Sequence, residues 1–186
     1  RGKEIILVSS GAIGAGIGRL GLTAKPAAIE ERQALAAIGQ GLLIQFYEKL
    51  FAEYGHIVAQ VLLTREDIEN RQRYINSRNA LLHLLRYGTI PIINENDTVS
   101  TEEIEFGDND KLSALVATIV GADLLIILTN IDGLCSEDPR INPAAKCIPL
   151  VTEITPEIRN MAGGTDEMLA KGGMASKIEA AEMVMN

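Results

Sequence analysis

The sequence contains no tryptophan, and aromatic residues make up only 4% of its 186 positions. Flat rings that stack on bases or sugars are therefore scarce, which argues against a single-stranded nucleic acid as ligand. Basic residues are also in deficit, because 17 Lys and Arg stand against 25 Asp and Glu and leave a net charge of −8. Nucleic-acid and membrane-surface proteins need a cationic face, so we expect neither partner.

Cysteine and histidine are equally sparse. Cys135 and Cys147 form no C-x-x-C pair, and His56 and His83 are isolated. We therefore expect no metal site, and free thiols in a reducing cytoplasm are the plain interpretation of the cysteines. No apolar run approaches the roughly 18–20 residues that a membrane helix needs. The run at 124–128 has only the length of a strand.

The sequence does contain an alternation of strand-like and helix-like segments. Short apolar runs are typical of strands buried on both faces, as in a parallel sheet, and their alternation with helices indicates βαβ units. We predict an α/β fold, a three-layer α/β/α sandwich with a mainly parallel open sheet, as a single domain over residues 1–186. Predicted strands cover 4–8, 57–63, 90–93 and 124–128, with a possible strand or edge hairpin near 148–151, and predicted helices cover 27–54, 70–87, 111–120, 156–161 and 174–185.

Both ends of the sequence lie at or within predicted elements. Arg1 stands directly before a predicted strand, and the last residues stop within a helical pattern, so we expect the sequence to be the middle and larger part of a longer domain. In the helix at 27–54, the helical spacing predicts an apolar packing face. That face comprises Leu35, Ile38, Leu42, Gln45, Phe46 and Leu50.

Gly16, Gly18 and Gly21 match the pattern G-x-G-x-x-G. A dinucleotide-binding fingerprint must lie in the turn directly after a strand, whereas this pattern begins eight residues past Val8. We therefore assign it to a small-residue helix or loop, and a nicotinamide-dependent oxidoreductase is only a distant alternative. No Walker-type phosphate loop occurs in the sequence.

The residues that follow the predicted strands are mostly small, hydroxylic or amide-bearing. In an open parallel sheet, ligands bind at the carboxyl ends of the strands, so the pattern favours a cleft for a small polar ligand. The same residue types are also the ordinary components of turns, which is the competing interpretation. The residues in question are Ser9, Ser10, Gly11 and Ala12, then Thr64 and Arg65, then 94–97, and finally Thr129 and Asn130.

Two polar clusters and a glycine turn add to this pattern. The clusters lie at 94–97 and 108–110, where carboxylates and amides could hold an α-amino group, although Asp110 could simply cap the helix that it opens. The glycine turn at 172–177 opens another helix beside Lys171 and could bind an anion, or it could be an ordinary loop-to-helix junction.

Five motifs, taken together and in order, resemble the amino acid kinase family, and within it the kinases of glutamate. They lie at 8–12, 94–97, 106–110, 128–134 with 138–140, and 172–177. The resemblance implies ATP-dependent phosphorylation of the γ-carboxylate of L-glutamate to L-glutamyl 5-phosphate, the first step of proline biosynthesis. An alternative is a non-catalytic domain of the same fold that senses glutamate or proline.

The resemblance also implies that the first strand and the last strands of the domain lie outside this sequence, and it implies a role for particular residues. Asp110 would orient the catalytic lysines, and Lys177 would stabilise the transferring phosphoryl group. ATP would bring Mg²⁺ with it, proline would be a feedback inhibitor at or near the glutamate site, and the enzyme would be a cytoplasmic homo-oligomer. The glutamate-binding residues would be Ser10, Gly11, Ala12, Asp97 and Asn109, and the nucleotide-binding residues would be Thr129, Asn130, Lys171, Gly172, Gly173, Met174, Ala175, Ser176 and Lys177.

Overall fold

The structure, a computed structural model, describes residues 2–100, 108–137, 139–162 and 173–185. The chain divides into two units, Arg1–Leu112 and Ser113–Asn186, each of which is described by itself. The assignment of all 186 residues to one domain stays a prediction. The elements, in chain order, are β1 (Leu7–Val8), α1 (Ala12–Leu20), α2 (Ile29–Ala52), β2 (Val58–Leu63), α3 (Arg65–Glu69), α4 (Arg71–Arg86), β3 (Ile90–Glu95), α5 (Asn109–Val120), α6 (Pro156–Met161) and α7 (Met174–Met185).

The strands of the first unit form a parallel sheet in the order β1-β3-β2. β2 pairs with β3 along its whole length, whereas β1 pairs only at two positions, Leu7 with Ile92 and Val8 with Ile93. The strand predicted at 4–8 is thus confined to its last residues. A parallel sheet accompanied by helices confirms the predicted α/β class.

The central strand β3 forms the middle of this unit's core. Ile92 and Ile93 are 1% and 0% exposed, as the unbroken apolar run predicted. Pro91 lacks an N–H, yet it interrupts no ladder bond. Ile90 N–H bonds to Ile57 O on the β2 side, so position 91 faces the β1 side, where pairing begins only at Ile92.

Helices α1 and α2 are in backbone contact through two glycines. A Cβ atom at Gly39 would lie 1.7 Å from Ala12 O, and one at Gly16 would lie 2.1 Å from Leu35 O. Gly16 therefore lies within α1 and lets this helix pack closely against α2. The interpretation of the G-x-G-x-x-G pattern as a small-residue helix is confirmed, and the close contact places the start of α1 against α2.

The predicted helix at 27–54 is confirmed as α2, but its predicted apolar face is only partly buried. Leu35 is buried as predicted, whereas Ile38, Phe46 and Leu50 are 39%, 57% and 41% exposed. The other buried positions are Ala36, Gly39 and Gln40. Small side chains are buried here because α1 approaches α2 closely, which hydrophobicity alone does not reveal.

The predicted helix at 70–87 is α4, and its first turn is capped by Asn70. The Oδ1 atom of Asn70 accepts hydrogen bonds from the backbone N–H groups of Gln72 (3.0 Å) and Arg73 (3.1 Å). The short helix α3, which directly precedes Asn70, was not predicted. Such a five-residue helix is too short to produce a recognisable periodicity.

In the second unit, the strand predicted at 124–128 is wrong, because these residues pair with no other strand among those that the structure describes. Leu124, Ile126 and Leu128 are 73%, 70% and 82% exposed and alternate with half-buried residues. The period of two is typical of an extended run. Helices α6 and α7 confirm the predictions at 156–161 and 174–185. No helix in the described ranges is long and apolar enough to cross a bilayer.

The expectation of free thiols is also wrong. Cys135 and Cys147 face each other across an isolated antiparallel bridge and form a disulfide. A backbone hydrogen bond from Ser136 N–H to Lys146 O (2.9 Å) lies beside the pair. The two cysteines are 12 residues apart, so their pairing depends on the turn between them and not on a local motif. The strand or edge hairpin predicted near 148–151 is therefore reduced, among the described residues, to this single bridge at Cys147.

Candidate functional site

The turn that follows β1 opens directly into α1. Gly11 has a φ of +101°, a conformation that L side chains rarely adopt. The first hydrogen bond of the helix runs from Ala15 N–H to Gly11 O (2.8 Å), so the amides of residues 12–14 have no carbonyl partner within the helix. Ser10 is exposed beside them. The turn thus presents backbone donors at the positive end of a nine-residue helix, which suits a carboxylate oxygen.

Asn109 ties this turn to the end of β3. Its Nδ2 group donates one hydrogen bond to Ser9 O and another to Asn94 Oδ1 (2.9 Å). Ser9 directly follows β1, Asn94 lies near the carboxyl end of β3, and Asn109 begins α5. Three segments that are distant in the sequence therefore meet at the carboxyl edge of the sheet, as expected for neighbouring parallel strands.

Polar side chains of α2 support these contacts from behind. Gln40 Oε1 accepts a hydrogen bond from Asn94 Nδ2 (2.9 Å), and the hydroxyls of Ser9 and Tyr47 share another (2.8 Å). Neither Gln40 nor Tyr47 was predicted from the sequence to belong to the site. The available signal was weak: Gln40 is a polar residue four positions after the small buried residue Ala36.

Asp97 lies half-buried in the turn that follows β3. This turn is tied down by Ser100, whose Oγ donates to Glu95 Oε1 (3.2 Å) and whose carbonyl accepts from Gln33 Nε2 of α2 (3.0 Å). Asp97 comes two residues after the end of β3 at Glu95, so this residue lies at the same edge of the sheet. A carboxylate at this edge suits a ligand with an ammonium group.

The two aspartates at the start of α5 differ in their surroundings. Asp108 Oδ1 accepts a hydrogen bond from Asp110 N–H (2.9 Å), so Asp108 caps the helix and Asp110 lies in its first turn. The alternative in which Asp110 is itself the cap is therefore wrong. Asp108 Oδ2 is buried without a hydrogen-bond partner among the described residues, and Asp110 is half-buried.

The nucleotide-binding residues predicted from the sequence belong to the second unit. Ser176 is buried and its Oγ donates to Gly173 O (2.8 Å), which fixes the entry into α7. Lys177 follows, half-buried, in the first turn of that helix. Lys171 and Gly172 lie outside the described residues. Those that the structure describes are Thr129 and Asn130, both exposed, and Gly173, Met174, Ala175, Ser176 and Lys177.

Outside the candidate site, the pKa of the Asp67 carboxylate is clearly perturbed. Partial burial raises the pKa of Asp67, but hydrogen bonds from Thr64 and Arg73 outweigh this effect and hold the pKa below the ordinary value of 3.8. Asp67 Oδ2 accepts from both Thr64 N–H and Thr64 Oγ1–H at 2.7 Å. Thr64 was one of the residues found after a predicted strand, and its observed contacts are those of a capping box.

Comparison with known proteins gives a match over the entire chain. Residues 1–186 match the model of the amino acid kinase family. The chain is 58% identical over 186 residues to the protein named glutamate 5-kinase from Caldanaerobacter subterraneus subsp. tengcongensis, and 57% identical over 182 residues to the protein of the same name from Moorella thermoacetica. These alignments take in 100% and 98% of this chain, and 50% and 48% of the two relatives.

A shorter relative is matched more completely. The protein named glutamate 5-kinase from Clostridium acetobutylicum is 55% identical over 183 residues, which are 98% of this chain and 68% of that protein. The chain thus spans about half the length of the first two relatives and two thirds of the third.

Proposed function

The chain belongs to the amino acid kinase family, and we propose that the protein transfers the γ-phosphoryl group of ATP to the γ-carboxylate of L-glutamate. The product would be L-glutamyl 5-phosphate, the first intermediate of proline biosynthesis. The relatives named glutamate 5-kinase support this choice of substrate. The structural observation that carries the proposal is the meeting of Ser9, Asn94 and Asn109 at the carboxyl edge of the sheet.

Glutamate would be held by the first unit. The backbone amides at the start of α1, from Gly11 and Ala12 onward, would receive a carboxylate together with the Ser10 hydroxyl. Asp97 would bind the α-ammonium group through its charge. Asn109 uses both Nδ2 hydrogens within the protein, so its Oδ1 is the atom that can accept a hydrogen bond from that ammonium.

ATP would be held by residues of the second unit. Thr129 and Asn130 would contact the nucleotide, and the segment 171–177 would bind its phosphates with the backbone amides at the start of α7. Mg²⁺ would arrive with the nucleotide and offset phosphate charge. Asp110, which is not the cap of α5, would orient the catalytic lysines.

The reaction would form a bond between a γ-carboxylate oxygen of glutamate and the γ-phosphorus of ATP. The bond from that phosphorus to the β–γ bridging oxygen breaks, and ADP leaves with the electron pair. Phosphoryl transfer asks the protein mainly for alignment and positive charge around the transferring group. Lys177 would supply that charge, which matters in a chain with a net charge of −8.

Three further features belong to the same proposal. Proline would act as a feedback inhibitor at or near the glutamate site, because it shares the α-amino acid group that Asp97 and Asn109 would recognise. The protein would act as a homo-oligomer, and it would be cytoplasmic. The first of these can be checked by competition between proline and glutamate in steady-state kinetics.

The function is tested by ADP release from the full-length protein with MgATP and glutamate. We expect turnover with glutamate and none with glutamine, which lacks the γ-carboxylate. Asp97→Ala should raise the KM for glutamate by at least about tenfold, the loss of one charge-assisted contact, with little effect on the KM for ATP. Absence of glutamate-dependent ADP release would refute the proposed reaction, and an unchanged KM would refute the role of Asp97.

A further inference from the structure

Gln40 is a buried amide whose acceptor atom is hydrogen-bonded while its donor group is not. Its side chain lies in α2 and the residue is only 7% exposed. Oε1 accepts the hydrogen bond from Asn94 Nδ2 (2.9 Å), whereas Nε2 is buried without a partner among the described residues. An unsatisfied buried donor costs free energy, and an apolar side chain of similar size would only move that cost to Asn94 Nδ2, which would lose its acceptor. The acceptor atom is therefore the part of Gln40 that needs explaining.

The acceptor sets the direction of a chain of hydrogen bonds. A side-chain amide has a donor end and an acceptor end, so the orientation of one amide dictates that of the next. Gln40 Oε1 takes Asn94 Nδ2, which leaves Asn94 Oδ1 to face Asn109 Nδ2. The other hydrogen of Asn109 Nδ2 goes to Ser9 O. If the Asn94 amide turned over, its Nδ2 group would oppose Asn109 Nδ2, donor against donor.

The chain starts from a rigid element. Gln40 follows Gly39, which is in backbone contact with the start of α1 at Ala12. A shift of Gln40 would therefore require α2 to move against the turn that follows β1. The position of Asn109 Oδ1 thus depends on α2 through two successive amide hydrogen bonds, each 2.9 Å long.

We propose that Gln40 is a positioning residue that, through Asn94, holds the Asn109 amide with Oδ1 turned toward the amino-acid substrate. This inference rests on the proposed function of the site and adds a residue that makes no contact with substrate itself. It explains why a glutamine is buried in α2 with one donor unsatisfied: the acceptor is needed for substrate binding, and stability would be served as well by an apolar residue.

Two variants of the full-length protein separate this role from a structural one. Gln40→Met keeps the length of the side chain and removes the acceptor, whereas Gln40→Glu keeps an acceptor oxygen and adds a buried charge. We expect Gln40→Met to raise the KM for glutamate about tenfold, the effect of one lost hydrogen bond, with an unchanged KM for ATP. The Tm should change little, because the variant removes one unpaired buried donor, Gln40 Nε2, and leaves another, Asn94 Nδ2. Gln40→Glu should stay closer to the parent in KM for glutamate but melt at a lower temperature.

Gln40→Met should thus be the worse variant in KM for glutamate, and Gln40→Glu should be the worse variant in Tm. A merely structural role would make the KM follow the Tm, and that result, or an unchanged KM for glutamate in Gln40→Met, would overturn the proposal. Gln45→Met, at an exposed position of the same helix, is the matched control and should change neither value.

A crystal structure of Gln40→Met distinguishes failure of this inference from failure of the proposed function. If the parent protein shows no glutamate-dependent ADP release, the proposed reaction is wrong, but the positioning can still be judged from coordinates. We expect the contact between Asn94 Oδ1 and Asn109 Nδ2 to be lost in the variant. Retention of that contact in its parental geometry would contradict the positioning role whatever the substrate.

Discussion

At the scale of single residues, Asp67 shows how one carboxylate can fix a turn after a strand. It accepts two hydrogen bonds from Thr64 and a third from Arg73 Nη1 (3.1 Å). These contacts stabilise the ionised form, which is why the pKa of Asp67 lies below 3.8 in the folded protein despite partial burial. A folded-state pKa below the unfolded one gives stability that is present above the unfolded value and is lost as the pH falls through the folded value.

Asp67→Asn should therefore lower the free energy of unfolding by about 1 kcal/mol at pH 7, the usual cost of a lost cap. The difference between variant and parent should shrink as the pH falls below the ordinary aspartate value of 3.8, where the parent carboxyl also becomes protonated. Urea unfolding at a series of pH values measures this. Asp123→Asn, at an exposed aspartate, is the control, and a difference that did not vary with pH would contradict the account.

The residues of the site were predictable to different degrees. Asn109, Asp97 and the Ser10 turn could be found because each follows a strand or opens a helix, and such boundaries are visible in the sequence. Their roles in binding stay predictions. Gln40 could not be found in this way, because it meets Asn94 across 54 residues of sequence and nothing local distinguishes it from any other helical glutamine.

At the scale of elements, the α1–α2 contact makes the strongest demand on side-chain size. A Cβ atom at Gly39 would collide with Ala12 O at 1.7 Å and with Gly16 N at 2.6 Å. Both of these are backbone atoms, which cannot move aside as a flexible side chain could. The contact matters for function because Ala12 begins the helix whose first amides would receive the substrate carboxylate.

Gly39→Ala should reduce the free energy of unfolding by about 1–3 kcal/mol or more through overpacking, and it should weaken glutamate binding as α1 shifts. Gly41→Ala is the matched control, because it lies in the same helix with nothing within 4 Å of its Cβ position. It should raise stability by about 0.5–1 kcal/mol, the usual gain of alanine over glycine in a helix. Equal effects of the two substitutions in denaturant unfolding would show that the close contact is absent.

Element prediction succeeded where the chain itself supplies the signal. Helix α2 and strands β2 and β3 follow from periodicity and apolar runs, whereas the packing face of α2 does not. Its buried side includes Ala36 and Gly39, whose small size allows α1 to approach closely, and a hydrophobicity pattern does not reveal this contact. The strand predicted at 124–128 was wrong for a related reason, because a strand forms only when another strand pairs with it.

At the scale of the whole molecule, the proposed reaction needs cationic charge in a chain that is acidic as a whole. Lys177, in the first turn of α7, is the residue to which we assign that charge. The assignment rests on the resemblance of the 172–177 segment and on the position of Lys177 at a helix N-terminus. The disulfide of the second unit, by contrast, could not be predicted from cysteine spacing. Cys135 and Cys147 are 12 residues apart, and they meet only because the chain between them turns back.

Lys177→Ala in the full-length protein should lower kcat by about 10²–10³-fold, the typical cost of removing one group that stabilises charge in a transition state. The KM for glutamate should change little, because Lys177 is assigned to the phosphoryl group. Lys49→Ala, at an exposed position of α2, should leave kcat unchanged. Steady-state ADP release checks both variants, and a kcat for Lys177→Ala close to that of Lys49→Ala would remove Lys177 from the mechanism.

The most direct test of the central claim is a calorimetric titration of the full-length protein with glutamate, comparing the parent with Asn109→Ala. Asn109 joins the β1 turn, the end of β3 and the start of α5, and its Oδ1 is assigned to the substrate. We predict that the Kd for glutamate rises at least about tenfold in Asn109→Ala while the affinity for MgATP is retained. An unchanged Kd for glutamate in Asn109→Ala would show that the amino acid binds elsewhere.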